Sequence, residues 1–317
     1  MRRTLSAAFA LTALVALAAC GANGSSSRTG APAPATGAPS ARGASLPTTP
    51  GSVTIGSAAF PESELLAYLY ADAMKARGVT VRIHADIGER PAYIAALKQG
   101  SIGAVPEYSG AMLDYLSPSD RATTPAEVYT SLRRTAQTQG LAVTAYAPAQ
   151  DADTITVTRA TAATYHLSGI GDLKSVAGGL KLGAPAPLRT VSYGVPALKS
   201  VYGVTFGQFV SLAPTGTITQ TALRDGTVDA ADIFSTDPAI SRDKFVSLKD
   251  PRNIFAAQNI VPLFARDVLT RPMADACDAV SAELTTAALR DLDAKVADGT
   301  NPAAVARQWL TAQGITH

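Results

Sequence analysis

Across 317 residues there are only two cysteines and three histidines. They do not cluster, and no set stands at zinc spacing, so a zinc site drops out of the readings. A Gly-x-Ser-x-Gly elbow is missing, and His84, His166 and His317 lie scattered outside any motif. A hydrolase built on a nucleophile and its base therefore has no foothold. Charge is scarce as well: charged residues make up 16% of the chain, and the net charge is +2. Lysine and arginine form no blocks and do not interleave with aromatics, which argues against a nucleic-acid partner. Apolar residues reach 47%, ample for a core, and the length allows two domains.

What is present begins at the N-terminus. Arg2 and Arg3 precede an apolar run, Leu5 to Ala16, that is too short to span a membrane as a stable helix. Leu17-Ala18-Ala19-Cys20 closes it with small residues. This is the pattern of a secretory signal, and its ending resembles the bacterial lipoprotein box. That resemblance implies cleavage before Cys20 and a lipid on its thiol, hence an extracytoplasmic protein anchored to the cell membrane. Residues 21–51 are almost wholly Gly, Ala, Ser, Thr and Pro and read as a flexible tether. With Cys20 taken by lipid, Cys277 has no disulfide partner and reads as a small buried apolar residue.

The remainder alternates strands and helices. Val53–Gly56 and Val79–His84 read as strands, with helical spacing after Pro61 and after Pro91. A third strand is expected at Ile102–Val105, stopped by Pro106, with Glu107 and Tyr108 in a turn ahead of a helix that begins near Ser109-Gly110. Such a turn lies at the strand's C-terminal end, where α/β sheets bind ligands; Tyr108 is thus a candidate binding aromatic. Further strands are expected at Ala142–Tyr146, Ile155–Thr158, Leu180–Gly183, Val228–Phe234, Val246–Leu248 and Ile260–Phe264, and a helical tail from Met273 onward. Leu97 to Tyr108 is echoed in design by Leu223 to Phe234: a helix ending in Leu-basic-polar-Gly, then a strand, then an aromatic. Two α/β lobes that each offer an aromatic to a shared cleft would produce that echo.

A longer series of motifs carries a resemblance. It comprises Ile55-Gly56-Ser57 with Phe60 and Glu62, Ala96 to Gly100, Pro106-Glu107-Tyr108-Ser109-Gly110, and Asp153-Thr154 ahead of a strand. It continues with Gly194 to Leu198, Tyr202-Gly203, Ser235-Thr236-Asp237, and Asp250 to Asn253 ahead of Val261-Pro262-Leu263. In order and spacing these resemble the osmoprotectant-binding family, the substrate-binding proteins of glycine betaine/choline/carnitine ABC importers. The resemblance implies an α/β, two-lobed type II periplasmic-binding-protein fold with two hinge crossovers. It implies a monomeric binding protein rather than an enzyme, without a cofactor, that delivers a small molecule to an ABC permease and its ATPase subunits. We place the signal peptide at 1–19, the lipid-anchored linker at 20–51, one lobe at 52–158 plus 257–317 and the other at 159–256.

The family holds a quaternary ammonium group against aromatic faces, because that cation donates no hydrogen bonds. Tyr108 and Phe234 match the aromatic positions, facing each other from opposite lobes. Ser57, Ser235 and Thr236 could donate hydroxyls, Tyr93 and Tyr193 could add walls, Asp153 sits at the first crossover, and Arg189 is the nearest basic residue that could take a carboxylate. Ala58, Val105, Ala111, Ile155 and Val191 stand where the family carries lysine, tyrosine, threonine, an aromatic and arginine. These departures admit an alternative with the same fold and transport role and a neutral or aromatic ligand.

Overall fold

The computed structural model describes residues 46–213 and 215–316. The expected signal peptide, Cys20 and the linker through residue 45 lie outside the described residues. The end of that linker is docked on the folded unit. Leu46 packs against the first core, the Pro47 carbonyl accepts from the Arg271 amide at 2.7 Å, and the Pro50 carbonyl accepts from Thr270 Oγ1 at 3.1 Å. Folded structure therefore starts ahead of residue 52.

Three βα units open the fold: β1 (Ser52–Gly56), α1 (Pro61–Ala76), β2 (Thr80–His84), α2 (Arg90–Lys98), β3 (Ala104–Tyr108) and α3 (Ser109–Leu116). Proline in the first turn and Glu62 and Glu64 beside it favour the start of α1. Thr124 and Glu127 form a capping box on α4 (Pro125–Thr138), and β4 (Leu141–Val143) follows. The chain then crosses to a second sheet. There it forms β5 (Ile155–Val157), α5 (Arg159–Tyr165), β6 (Lys181–Ala184), α6 (Val195–Ala197), β7 (Gln208–Ser211), α7 (Gly216–Arg224), β8 (Ala230–Asp232), α8 (Ala239–Arg242) and β9 (Val246–Ser247). It returns as β10 (Ile260–Ala265) and ends in α9 (Arg271–Glu283), α10 (Thr286–Ala297) and α11 (Pro302–Ala312).

The sheets share one plan. The first runs β2-β1-β3-β10-β4 and the second β7-β6-β8-β5-β9. In each, three parallel strands adjoin two antiparallel ones, and the third parallel strand pairs with the strand that has just crossed over. The sequence echo falls on that third strand, β3 in one sheet and β8 in the other. Crossing segments 144–154 and 248–259 touch at an antiparallel bridge between Gln150 and Asn259. Because β5 already belongs to the second sheet, the change of sheet precedes the expected boundary at residue 158.

Pro106 does not stop its strand. β3 continues through it to Tyr108, so Glu107 and Tyr108 are strand residues rather than turn residues. The register explains the exception: Pro106 lies directly opposite Pro262 of β10. Ladder bonds run from Ser109 N to Asn259 O and from Ala265 N to Gly103 O. In an antiparallel ladder hydrogen-bonded pairs alternate with unbonded ones. Counting from either bond puts the two prolines in an unbonded pair, where neither ring removes a needed N–H. In the tail, helix breaks at Leu284-Thr285 and at 298–301 divide three helices. Cys277 is fully buried in the first core.

Candidate ligand-binding site

The C-terminal ends of β1 and β3, the N-terminus of α1, the end of β8 and the crossing segments converge on one group of polar side chains. Tyr108 ends β3 half-buried. Its hydroxyl donates to Glu62 Oε1 at 2.5 Å, and its ring stacks on Phe60 at 6.1 Å between centroids and 29° between planes. Burial, and then the charge of Glu62, hold its phenol well above the ordinary range. Glu62 also meets Asp293 of α10, and its charge acts on Asp151 of the first crossing segment. Burial is the main force raising both aspartates, and Glu62 adds to it. Thr236 Oγ1 donates to Asp151 Oδ1 at 2.7 Å. Burial and the neighbouring charge of Glu62 together make ionisation of Asp151 and Asp293 unfavourable.

A second acidic group adjoins the first along the crossing segment, and the charge of Asp153 adds to the rise of Asp151. Asp153 meets Asp232, the last residue of β8. Burial raises both carboxyls, and the charge of Asp153 raises Asp232 further, to about 8. Tyr193, half-exposed in the loop ahead of α6, is raised by partial burial and by Asp153, Asp114 of α3 and Asp232. Its hydroxyl thus lies between the two sheets' contributions. Gly194 follows because a Cβ there would stand 2.0 Å from the Leu188 carbonyl oxygen.

Several expected ligand contacts have internal partners. Ser57 is fully buried; its hydroxyl donates to the Ala58 carbonyl and accepts from the Asp86 amide, joining the loops after β1 and β2. Ser235 Oγ donates to the Gln150 carbonyl at 2.6 Å and accepts from the Ala152 amide at 3.0 Å. With Thr236, it ties the end of β8 to the first crossing segment. Tyr93 is buried, and its hydroxyl donates to Glu107 Oε1 at 2.7 Å. Glu107, fully buried, also takes a two-pronged bond from Arg90 at 2.8 and 3.1 Å and the Tyr108 amide at 2.9 Å. Arg189 is exposed and lies over the Phe209 ring at 4.6 Å, bonded to the Phe209 carbonyl. Phe234 is half-buried at the end of β8, and the ring stacked on Tyr108 is Phe60 instead.

Sequence reasoning did not single out Asp151, Asp232, Asp293 and Arg290, and it met Glu62 only as part of a motif. Asp232 had a legible signal: a carboxylate inside an otherwise apolar strand. Arg290 of α10 donates through Nε and Nη2 to the Ser235 carbonyl at 3.0 and 2.6 Å, which joins a helix packed on the first sheet to the turn after β8. The N-terminus of α3 is pinned to the second crossing segment by Ser109 Oγ to the Ala257 carbonyl and by the Ala111 amide to Gln258 Oε1.

Comparison with solved structures supports the architecture. A glycine betaine/carnitine/choline ABC transporter protein matches with a TM-score of 0.78 at 19% identity, covering 83% of this chain and 99% of its own. Apo YehZ from Escherichia coli matches with a TM-score of 0.72 at 25% identity, with 83% and 99% covered. Lactococcal OpuAC, closed on glycine betaine, matches with a TM-score of 0.51 at 13% identity, with 83% and 96% covered. Residues 51–312 match the family described as the substrate binding domain of ABC-type glycine betaine transport systems. With both sheets inside the matched span, the chain belongs to that family of transport binding proteins, which are not enzymes.

Proposed function

We propose that the chain is the lipid-anchored, extracytoplasmic receptor of an ABC importer. It captures a quaternary-ammonium osmolyte between its two lobes and passes it to a permease. The lobes are the two sheets with their helices, and segments 144–154 and 248–259 serve as the hinge. One observation carries the reading: an aromatic pair, Phe60 and Tyr108, stands at a strand end beside half-buried carboxyls. Aromatic faces and acids together favour a cation that cannot donate hydrogen bonds.

The alternative of a neutral or aromatic ligand rested on five substituted positions. Val105 and Ile155 are wholly buried in hydrophobic cores, and Ala58 is nearly so. Core packing accounts for the apolar character of these three positions, which leaves Ala111 and Val191, both half-buried, to carry the alternative. Thermal unfolding with choline, glycine betaine and carnitine tests the proposal. At a hundred times the dissociation constant, a ligand adds about 2.7 kcal/mol to stability. For a chain of this length that is a shift of roughly 4–5 °C. No shift with any of the three at millimolar concentration would refute the assignment.

A further inference from the structure

Asp232 has no structural excuse. Its side chain is fully buried, and what its carboxylate faces are another acid, Asp153, and the Thr154 backbone, with no well-formed hydrogen bond to either oxygen among the described residues. Its strand neighbours Ala230, Ala231 and Ile233 are buried and apolar. A buried polar group without partners destabilises the fold, and such groups concentrate where function needs them. Asp153 is only half-buried and lines a cavity of about 230 Å³ with Gln150, Thr154, Ser235, Asp250 and Phe255, room for a small organic cation, while Asp232 stands behind that lining.

Basic groups that could receive a ligand carboxylate are otherwise engaged. Arg90 is bonded to Glu107, Arg290 to the Ser235 carbonyl, and Arg189 to Phe209. We propose that the Asp153–Asp232 pair sets the ligand preference of the cleft: it selects a quaternary ammonium ion carrying no carboxylate, a cationic alcohol such as choline, over zwitterionic betaines. This deepens the function proposed above and rests on it. Asp153 is the contact, and Asp232 behind it is a positioning residue that supplies the second charge.

The chemistry adds a proton signature. Without a cation the pair holds a proton, because burial and mutual repulsion keep Asp232 near 8. A cation beside Asp153 favours the ionised pair and expels that proton to solvent. Tyr193 and, beyond it, Asp114 face the pair, Asp151 is coupled to Asp153 along the crossing segment, and Asp250 lines the same cavity as Asp153. On the elements packed against β8 the basic residues are remote or occupied: Lys181 of β6 lies level with Asp229, and Arg224 of α7 is bonded to Asp243. β5 and β9 carry no charged residue.

Isothermal titration of the full chain with choline, tetramethylammonium and glycine betaine tests this, at pH 6, 7 and 8.5 and in two buffers of different ionisation enthalpy. Choline should bind at least tenfold more tightly than betaine. Its affinity should rise by up to about tenfold per pH unit below 8, with close to one proton released at pH 7. Asp232→Asn should abolish the proton release and shrink the choline-to-betaine ratio tenfold or more; Asp153→Asn should do the same and serves if the first variant fails to fold. Betaine binding as tightly as choline, or a ratio unchanged in both variants, overturns the proposal while leaving the osmolyte reading intact. Binding of none of the three compounds overturns both.

Discussion

Glu107 holds the first aromatic in place, and its surroundings set an asymmetry that can be measured. Its carboxylate is inaccessible to solvent and accepts from four donors: Arg90 Nε and Nη2, the Tyr93 hydroxyl and the Tyr108 amide. The Arg90 side chain retains 26% exposure, against 0% for Glu107. Burial alone would lower the Arg90 pKa, yet the bond to Glu107 and its charge keep it above the ordinary value. Removing one member of a buried pair costs about 3–5 kcal/mol when the survivor stays buried and charged. Arg90→Met strands Glu107 in that way while keeping the packing of the arginine stem, so the full range applies. Glu107→Gln strands Arg90, which can turn to water, and the loss should be nearer that of charge-assisted hydrogen bonds, about 1.5–3 kcal/mol. Urea unfolding monitored by tryptophan fluorescence and by circular dichroism gives both differences, provided the m-values agree. The reasoning fails if Glu107→Gln is as costly as Arg90→Met, or if both fall below about 1 kcal/mol. Glu107→Gln should also weaken choline binding, because the Tyr108 amide loses a charged acceptor.

Two further consequences can be checked directly. Asp151 and Asp232 are both raised to about 8, chiefly by burial and secondarily by Glu62 and Asp153 respectively. Because the unfolded carboxyls titrate near ~4, the folded state binds more protons in between. Their stabilising contribution is thus complete below about pH 4 and lost as pH climbs to about 8. The melting temperature of the ligand-free protein should fall from pH 5 to pH 8.5, and Asp151→Asn should flatten that slope; a flat or rising wild-type profile counts against the assignment. Gly110 is required by proximity, since a Cβ there would lie 2.6 Å from the Ala257 carbonyl oxygen. Gly110→Ala should cost roughly 1–3 kcal/mol in urea unfolding as the second crossing segment is pushed away, and a neutral effect would mean that segment yields freely.

Local chemistry made the alternation of strands and helices legible. Apolar runs bounded by Gly, Pro and helix-start residues placed β1 through β3 and most of the second sheet. Where the reading went astray, a distant partner decided the outcome. Pro106 looks like a strand terminator until Pro262 is seen opposite it, and β10 lies more than 150 residues along the chain. β7 escaped notice because Gln208–Ser211 is a short edge strand with no fully buried residue, leaving no alternation to read. Within the candidate site, Tyr108 stands out from its place at a strand end. Ser57, Ser235 and Thr236 read as hydroxyls able to donate to a ligand, and tertiary contacts give each of them an internal partner. Glu62 and Phe60 stood in a noted motif, yet their pairing with Tyr108 becomes visible only once α1 is placed against β3.

The first crossing segment connects these features. Its Gln150 carbonyl and Ala152 amide are held by Ser235, so its backbone moves with the end of β8. Between those anchors Asp151 meets Glu62 and Thr236; just beyond them Asp153 meets Asp232 and adds its charge to Asp151. A hinge rotation that shifts residues 150–154 must therefore change the surroundings of both acids at once. In the ligand-free protein, burial and like charge make ionisation at both places unfavourable. A bound cation removes part of that penalty in any conformation that brings it to Asp153. A ligand can shift a conformational equilibrium only by its differential affinity for the two states. The unfavourable ionisation of these aspartates supplies such a difference for a cation, and a ligand carrying its own carboxylate would forfeit much of it.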